Sequence, residues 1–390
     1  MALPLSELPA RRISIGSSYS ASIPSKGRND LRRLVTRLMI ALFTLALAML
    51  ILGKGRTINA EQTNVAPEAT ASDAQAQAAL ERAIKRLAEG SGGTVGITAI
   101  HIETGRRVTL NGEARFPMAS TYKLLIALQL LHRVDRGEVR LSDQLTLSEH
   151  DLRPGHSPIA DFANHQPVTL TVERLLELML GESDNSASDA LLRLAGGPAA
   201  VTARMRALNI SDIDISRSEG QIALDFWGVR LPPPETEWTL ALFNRMSERA
   251  TPAETEAAAA RYMNDPRDTS TPDAMAELLV RVHRREVLEP ESMDRLLQIT
   301  TETPTGPARL KGLLPAGTRV AHKTGTMAGT TNDVGIITLP DGAGHLAIAV
   351  FVKGSKKDVP ERERAIAEIA RTIYDFFLLQ KNERAVDSSQ

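Results

Sequence analysis

The sequence predicts an α/β fold, with one α/β layer assembled from both ends of the folded part and interrupted by an all-α subdomain. Three observations predict it. Two strand-like stretches, 94–102 and 107–110, follow an amphipathic helix. A long region, 120–298, is mostly helical in pattern. Three more strand-like runs and a closing helix come after it. Composition agrees, because 42% hydrophobic and 24% charged residues are ordinary for a globular body. With 46 basic and 47 acidic residues and only 4% aromatics, the chain has neither the positive field nor the stacking surface of a nucleic-acid binder. Cysteine is absent, which excludes disulfides, cysteine-ligated zinc and thiol catalysis.

Arg32, Arg33 and Arg37 precede an apolar run at 38–52, with Ala60 at a plausible cleavage point. That run is short for a spanning helix, so residues 1–60 are expected to be an export signal or an uncleaved anchor tethering the protein through 38–52. Either places the folded part outside the cytoplasm, periplasmic or secreted. Residues 61–72 are polar and aperiodic, as in a linker. Residues 73–89 form a helical stripe through Leu80, Ile84 and Leu87, and 103–105 form a turn between the first two strands. Strands are expected at 319–323, 333–339 and 345–353, a helix at 362–379, and a frayed tail at 381–390. No glycine-rich phosphate loop and no histidine pair at helical spacing occurs, so no metal or nucleotide cofactor is expected.

Ser120 precedes the apolar run 124–131 and is expected at the start of a helix, where unpaired N–H groups favour developing negative charge. Lys123 lies one turn on, and an amine beside a hydroxyl can make serine a nucleophile. Ser183, Asp184 and Asn185 form a second polar cluster between two helical runs. Lys323, Thr324, Gly325 and Thr326 form a third at a strand end, suited to a carboxylate.

In this order the three clusters resemble the active site of the penicillin-recognising serine enzymes, most closely the class A β-lactamases of the extended-spectrum subgroup. Thr305-Gly306-Pro307, the segment 313–317 and the segment 331–335 look like framework segments of that family. The resemblance implies an antiparallel sheet flanked by helices plus an all-α subdomain, with the active site between them, in a catalytic domain of residues 73–380. It implies hydrolysis of the β-lactam amide through a serine acyl-enzyme, by a monomer without metal or cofactor, giving β-lactam resistance.

By the same resemblance Ser120 is the nucleophile, Lys123 its proton acceptor, and Ser183 the shuttle to the lactam nitrogen. Asn185 holds the substrate side-chain amide, and Lys323, Thr324 and Thr326 bind its carboxylate. The oxyanion hole is formed by the N–H groups of Ser120 and Thr326. His156 stands where the family places a ring at the cleft mouth. Glu219, after Arg217, is the deacylation base. That residue separates a β-lactamase from two alternatives, a D-alanyl-D-alanine peptidase and a non-enzymatic β-lactam sensor.

Three departures accompany the match. Ala223 replaces an asparagine that holds the hydrolytic water in many members. Arg309, fourteen residues before Lys323, substitutes for a strand arginine as carboxylate partner. Asp268, expected to pair with Arg217, is separated from Glu219 by an enlarged segment, 220–267, which contains both tryptophans, Trp227 and Trp238. Helical patterns at 236–247 and 254–263 make it an ordered insertion beside the site.

Overall fold

Alternation of side chains along three long strands builds the frame. On β9 (His345–Lys353), Ala347, Ala349 and Phe351 enter one core while Leu346, Ile348, Val350 and Val352 enter another. A strand buried on both faces must be covered on both sides, and helices supply the cover. The computed structural model describes residues 71–163, 166–229 and 233–387. The expected export segment 1–60, including 38–52, most of the linker and residues 388–390 lie outside these.

The sheet is antiparallel and five-stranded, in the order β2-β1-β9-β8-β7. The strands are β1 (Thr94–His101), β2 (Arg107–Leu110), β7 (Val320–Met327), β8 (Thr330–Thr338) and β9. Short pairs β3 (Phe116–Pro117) with β6 (Thr269–Ser270) and β4 (Gln144–Leu147) with β5 (Val168–Thr171) stand apart from it. One face packs on α1 (Ala71–Glu89) and α12 (Val359–Asp387), through Leu80, Ile84, Ile366, Ile369 and Ile373. The other face meets the helical subdomain. Its centre is α2 (Lys123–Asp135), whose residues from Leu124 to Leu128 are all buried, as an apolar run with no polar stripe requires.

The remaining helices are α3 (Pro158–Ala163), α4 (Val172–Glu177), α5 (Asn185–Leu194), α6 (Gly197–Ala207), α7 (Glu219–Phe226), α8 (Leu240–Arg249), α9 (Pro252–Asn264), α10 (Pro272–His283) and α11 (Pro290–Glu302). Among the described residues no helix is long and apolar enough to cross a membrane.

Four boundaries differ from expectation. The α-helix after Ser120 begins only at Lys123, because Ala119–Tyr122 forms a tighter 3₁₀ turn. β7 continues past Lys323 to Met327, so the third cluster lies inside a strand rather than at its end. β8 starts at Thr330, earlier than the apolar pattern indicates, because its polar first residues pair with β7 and β9 and are buried there. Asn332 donates to the carbonyls of Pro117 and Met118, both at 2.9 Å. The closing helix runs to Asp387, through most of the stretch expected to fray.

Candidate active site

The turn carrying Ser120 is strained. Ala119 has φ +45° and Ser183, across the cleft, φ +63°. Non-glycine residues in this region cost about 1–3 kcal/mol each, and the surrounding contacts hold them there. Thr121 donates through both its backbone N–H and its hydroxyl to the Met118 carbonyl, at 3.2 and 2.8 Å.

Ser183 ends a π-helical turn, and Asp184 then caps α5. The Asp184 carboxylate accepts from Ala187 N and Ile159 N, both at 2.8 Å, and from Ser157 Oγ at 3.1 Å. That network fixes the loop under Lys123. The fully buried amine of Lys123 donates to the Ser183 carbonyl and to Asn185 Oδ1, both at 2.7 Å. Asn185 donates in turn to the Pro154 carbonyl at 2.8 Å.

β7 closes the third wall by direct backbone approach. A Cβ on Gly325 would lie 2.7 Å from the Met118 carbonyl oxygen and 3.0 Å from Ser120 N, so only glycine lets the strand sit against the Ser120 turn. Lys323 is fully buried behind the wall. Its amine donates to Ser183 Oγ and to the Thr324 carbonyl, both at 3.0 Å. Burial and the nearby Lys123 charge hold its pKa well below the usual amine range. Arg309 reaches the same strand, donating to Thr326 Oγ1 at 2.6 Å and to the carbonyls of Gly325 and Asn332, while Glu363 pairs with its Nε at 3.0 Å.

Glu219 opens α7, with Ser218 as its capping residue. Its Oε1 lies 3.0 Å from Lys123 Nζ but out of line for a hydrogen bond, which leaves that oxygen able to accept another. Asp189 orients the helix start, accepting from Glu219 N at 2.7 Å and Gly220 N at 3.2 Å, and is paired to buried Arg153 at 2.5 Å. The segment that follows returns to a neck. There Arg217 Nε meets Asp268 Oδ2 at 2.6 Å, as expected, and Asp268 Oδ1 accepts from Ser216 N at 2.8 Å.

These walls enclose a cleft of 400 Å³, lined by Ser120, Ser183, Asn185, Glu219, Thr324 and Thr326, with His156 and Arg309 also on it. Lys123 and Lys323 lie beneath its surface. Residues 79–377 match the family described as Beta-lactamase enzyme family. The chain belongs to that family.

It is therefore a hydrolase acting on the β-lactam amide. Beta-lactamase VEB-1 of Pseudomonas aeruginosa is 32% identical over 76% of this chain and 89% of its own length. Extended-spectrum beta-lactamase PER-1 of the same organism is 32% identical over 77% and 87%. Among solved structures, a beta-lactamase from Chitinophaga pinensis superposes with TM-score 0.64 at 33% identity, over 76% of this chain and 98% of that one. TLA-1 extended-spectrum beta-lactamase gives 0.64 at 31%, over 78% and 99%.

Within this β-lactamase cleft every site residue expected from sequence lies on or directly under the wall. Sequence reasoning missed Arg153, Asp189 and Tyr262, and read Thr305 only as part of a framework segment. Thr305 accepts from Thr324 Oγ1 at 3.1 Å, and Tyr262 of the insertion lines the cleft. Asp189 had a readable signal, since it is the one charge among the otherwise uncharged buried residues of α5.

Proposed function

We propose that the protein hydrolyses β-lactams through an ester on Ser120. The observation that carries this reading is the convergence of Ser120, the Lys123 amine and the Glu219 carboxylate on one cleft. Ser120 Oγ attacks the lactam carbonyl carbon, and its proton passes to the Lys123–Glu219 pair. The tetrahedral oxygen is held by the N–H groups of Ser120 and Thr326 on the two backbones that Gly325 brings together. The C–N bond breaks, and Ser183, hydrogen-bonded to the Lys323 amine, delivers its proton to the leaving nitrogen and regains one from the Lys123–Glu219 pair, which leaves the Glu219 carboxylate free again. Glu219 then deprotonates a water that attacks the ester, releasing the ring-opened acid and free Ser120.

Thr324, Thr326 and Arg309 present donors to the substrate carboxylate, and Lys323 adds positive charge from below. Asn185 faces the side-chain amide, and His156 stands at the mouth. Ala223 offers the water no amide, so Glu219 and Ser120 hold it. The same reading has the protein act as a monomer. Residues 1–60 are read as the export signal or anchor that delivers the domain of residues 73–380, in the periplasm or outside the cell.

Turnover of a chromogenic cephalosporin, with Ser120→Ala as control, tests the reading. The native protein is expected to turn over, and the alanine variant to fold yet gain no penicillin mass. A native protein that accumulates stoichiometric acyl-enzyme with negligible turnover would overturn it.

A further inference from the structure

The insertion returns to the start of α7. Trp238, only 2% exposed, packs so closely on the residue after Glu219 that a Cβ at Gly220 would lie 2.5 Å from its Cζ3. Its ring also covers the Arg153 guanidinium at 5.2 Å, the same guanidinium that pairs with Asp189. Trp238 is itself fixed. Its Nε1 donates to the Pro233 carbonyl at 2.9 Å, its carbonyl meets His150 Nδ1 at 3.1 Å, and Phe243 packs edge-on at 5.6 Å.

We propose that Trp238 is a positioning residue for Glu219, making the insertion a part of the deacylation machinery. The indole keeps water from the Arg153–Asp189 pair and presses on Gly220, so both oxygens of Asp189 stay aimed at the first amides of α7. A small misplacement of a base costs about 10²-fold in rate. This rests on Glu219 being the deacylation base.

Pre-steady-state kinetics on Trp238→Leu and Trp238→Phe, with Glu219→Gln alongside, tests it. Trp238→Leu, which stays apolar but removes the ring from Gly220 and Arg153, is expected to lower the deacylation rate constant about ten- to hundred-fold. Acylation and kcat/KM should stay unchanged, so that kcat and KM fall together. Trp238→Phe should recover most of the loss. A purely structural role would lower Tm and leave the deacylation rate constant of the folded fraction alone, and that result overturns the proposal. If Glu219→Gln stalls while Trp238→Leu deacylates normally, positioning fails alone. If Glu219→Gln turns over normally, the base assignment fails.

A second observation stands independently at the end of β9 away from Thr326. Glu103, His283 and His345 place one donor atom each within 4.8 Å of one another. The backbone N–H and Nδ1 of His345 meet the two oxygens of Glu103 at 2.8 and 2.7 Å, and the two imidazoles lie 4.1 Å apart. We infer a divalent zinc site built from these three side chains, which come from the turn after β1, the end of α10 and the start of β9. No local metal motif betrays it, because its members are distant in sequence. Two imidazoles and a carboxylate are a zinc donor set, and metal binding requires neutral rings.

Calorimetric titration of the chelator-treated protein with zinc chloride is expected to show one saturable site and a raised Tm. Both should be lost in His283→Ala/His345→Ala, with β-lactam turnover unchanged. Absence of saturable binding, or equal binding by the double variant, overturns the inference.

Discussion

Lys123 Nζ and Glu219 Oε1 lie 3.0 Å apart, the amine fully buried and the carboxylate side chain 11% exposed. Each neutralises the other in a place where a lone charge would be costly. In the proposed reaction the proton leaving Ser120 therefore meets an ion pair and not an isolated base.

Lys123→Ala breaks that pair. It is expected to slow acylation about 10²- to 10⁴-fold, the usual worth of positioned acid–base assistance. Leaving Glu219 buried without its partner should also cost about 3–5 kcal/mol of stability. Stopped-flow acylation and urea unfolding measure the two effects, and acylation within a few-fold of native would remove Lys123 from the proton path.

Lys323 sets an alkaline limit. Its folded-state pKa is depressed by burial and by Lys123. Between that value and the unfolded one, the unfolded chain binds the extra proton, so this group's contribution to stability rises with pH across the window. Substrate binding is expected to run the other way, because in the proposed function the charge that attracts the carboxylate is lost as pH rises. KM for anionic β-lactams is expected to climb well below pH 10.5, by about ten- to hundred-fold for a lost charge-assisted contact. In Lys323→Ala KM should be high and flat with pH, and a native profile that is equally flat would contradict this.

Much of this site was legible in sequence, and the reason is local. Ser120, Ser183 and Lys323 each sit in a short motif whose spacing survives in one dimension, and Gly325 marks a close backbone approach. Long-range pairs were less readable. Arg217–Asp268 was anticipated only from the family likeness, across 51 residues. Arg153–Asp189 was not anticipated, because charges 36 apart carry no joint signature. The early start of β8 was hidden for another reason. Thr330, Thr331, Asn332 and Asp333 are buried by hydrogen bonding and close packing, which apolar periodicity does not report. The insertion was predicted as helical from its periodicity, but Trp238's contact with Gly220 exists only in three dimensions.

Gly325→Ala tests the oxyanion geometry without touching a charged group. Its methyl would strike the Met118 carbonyl and crowd Ser120 N, both backbone atoms that cannot rotate away. β7 must retreat and take the Thr326 N–H with it. Loss of one oxyanion donor is worth about 10²- to 10³-fold in rate. The expected result is a fall of that size in kcat/KM with modest loss of Tm. Unchanged kcat/KM would show that the strand and the turn do not form the hole together.

Asp268→Asn probes the neck. Asp268 has φ +53°, a conformation asparagine tolerates, so the substitution removes charge while sparing the backbone. Arg217 keeps Asp225 at 2.7 Å and Asp265 at 3.2 Å, which places the loss at the lower end for a broken buried pair, about 3 kcal/mol. Thermal unfolding checks the stability. Faster proteolysis of 220–267 should accompany it, and an unaltered Tm would mean that the neck is held without this pair.

Glu219→Gln separates turnover from acylation. The amide keeps the shape of the side chain and the backbone contacts to Asp189, but it cannot take a proton from water. Acylation of Ser120 still has the Lys123 amine, whereas among the described residues the one other carboxylate lining the cleft is Glu182, next to Ser183. The variant is expected to bind one penicillin covalently and to release it about 10²- to 10⁴-fold more slowly than native. In the proposed reaction Ala223 supplies no amide to hold the water, so Glu219 shares its placement with Ser120 and alone deprotonates it. The deficit should therefore fall toward the upper end of that range. Intact-protein mass spectrometry over milliseconds to hours follows the adduct, and a variant that deacylates as fast as native would assign the base to another group.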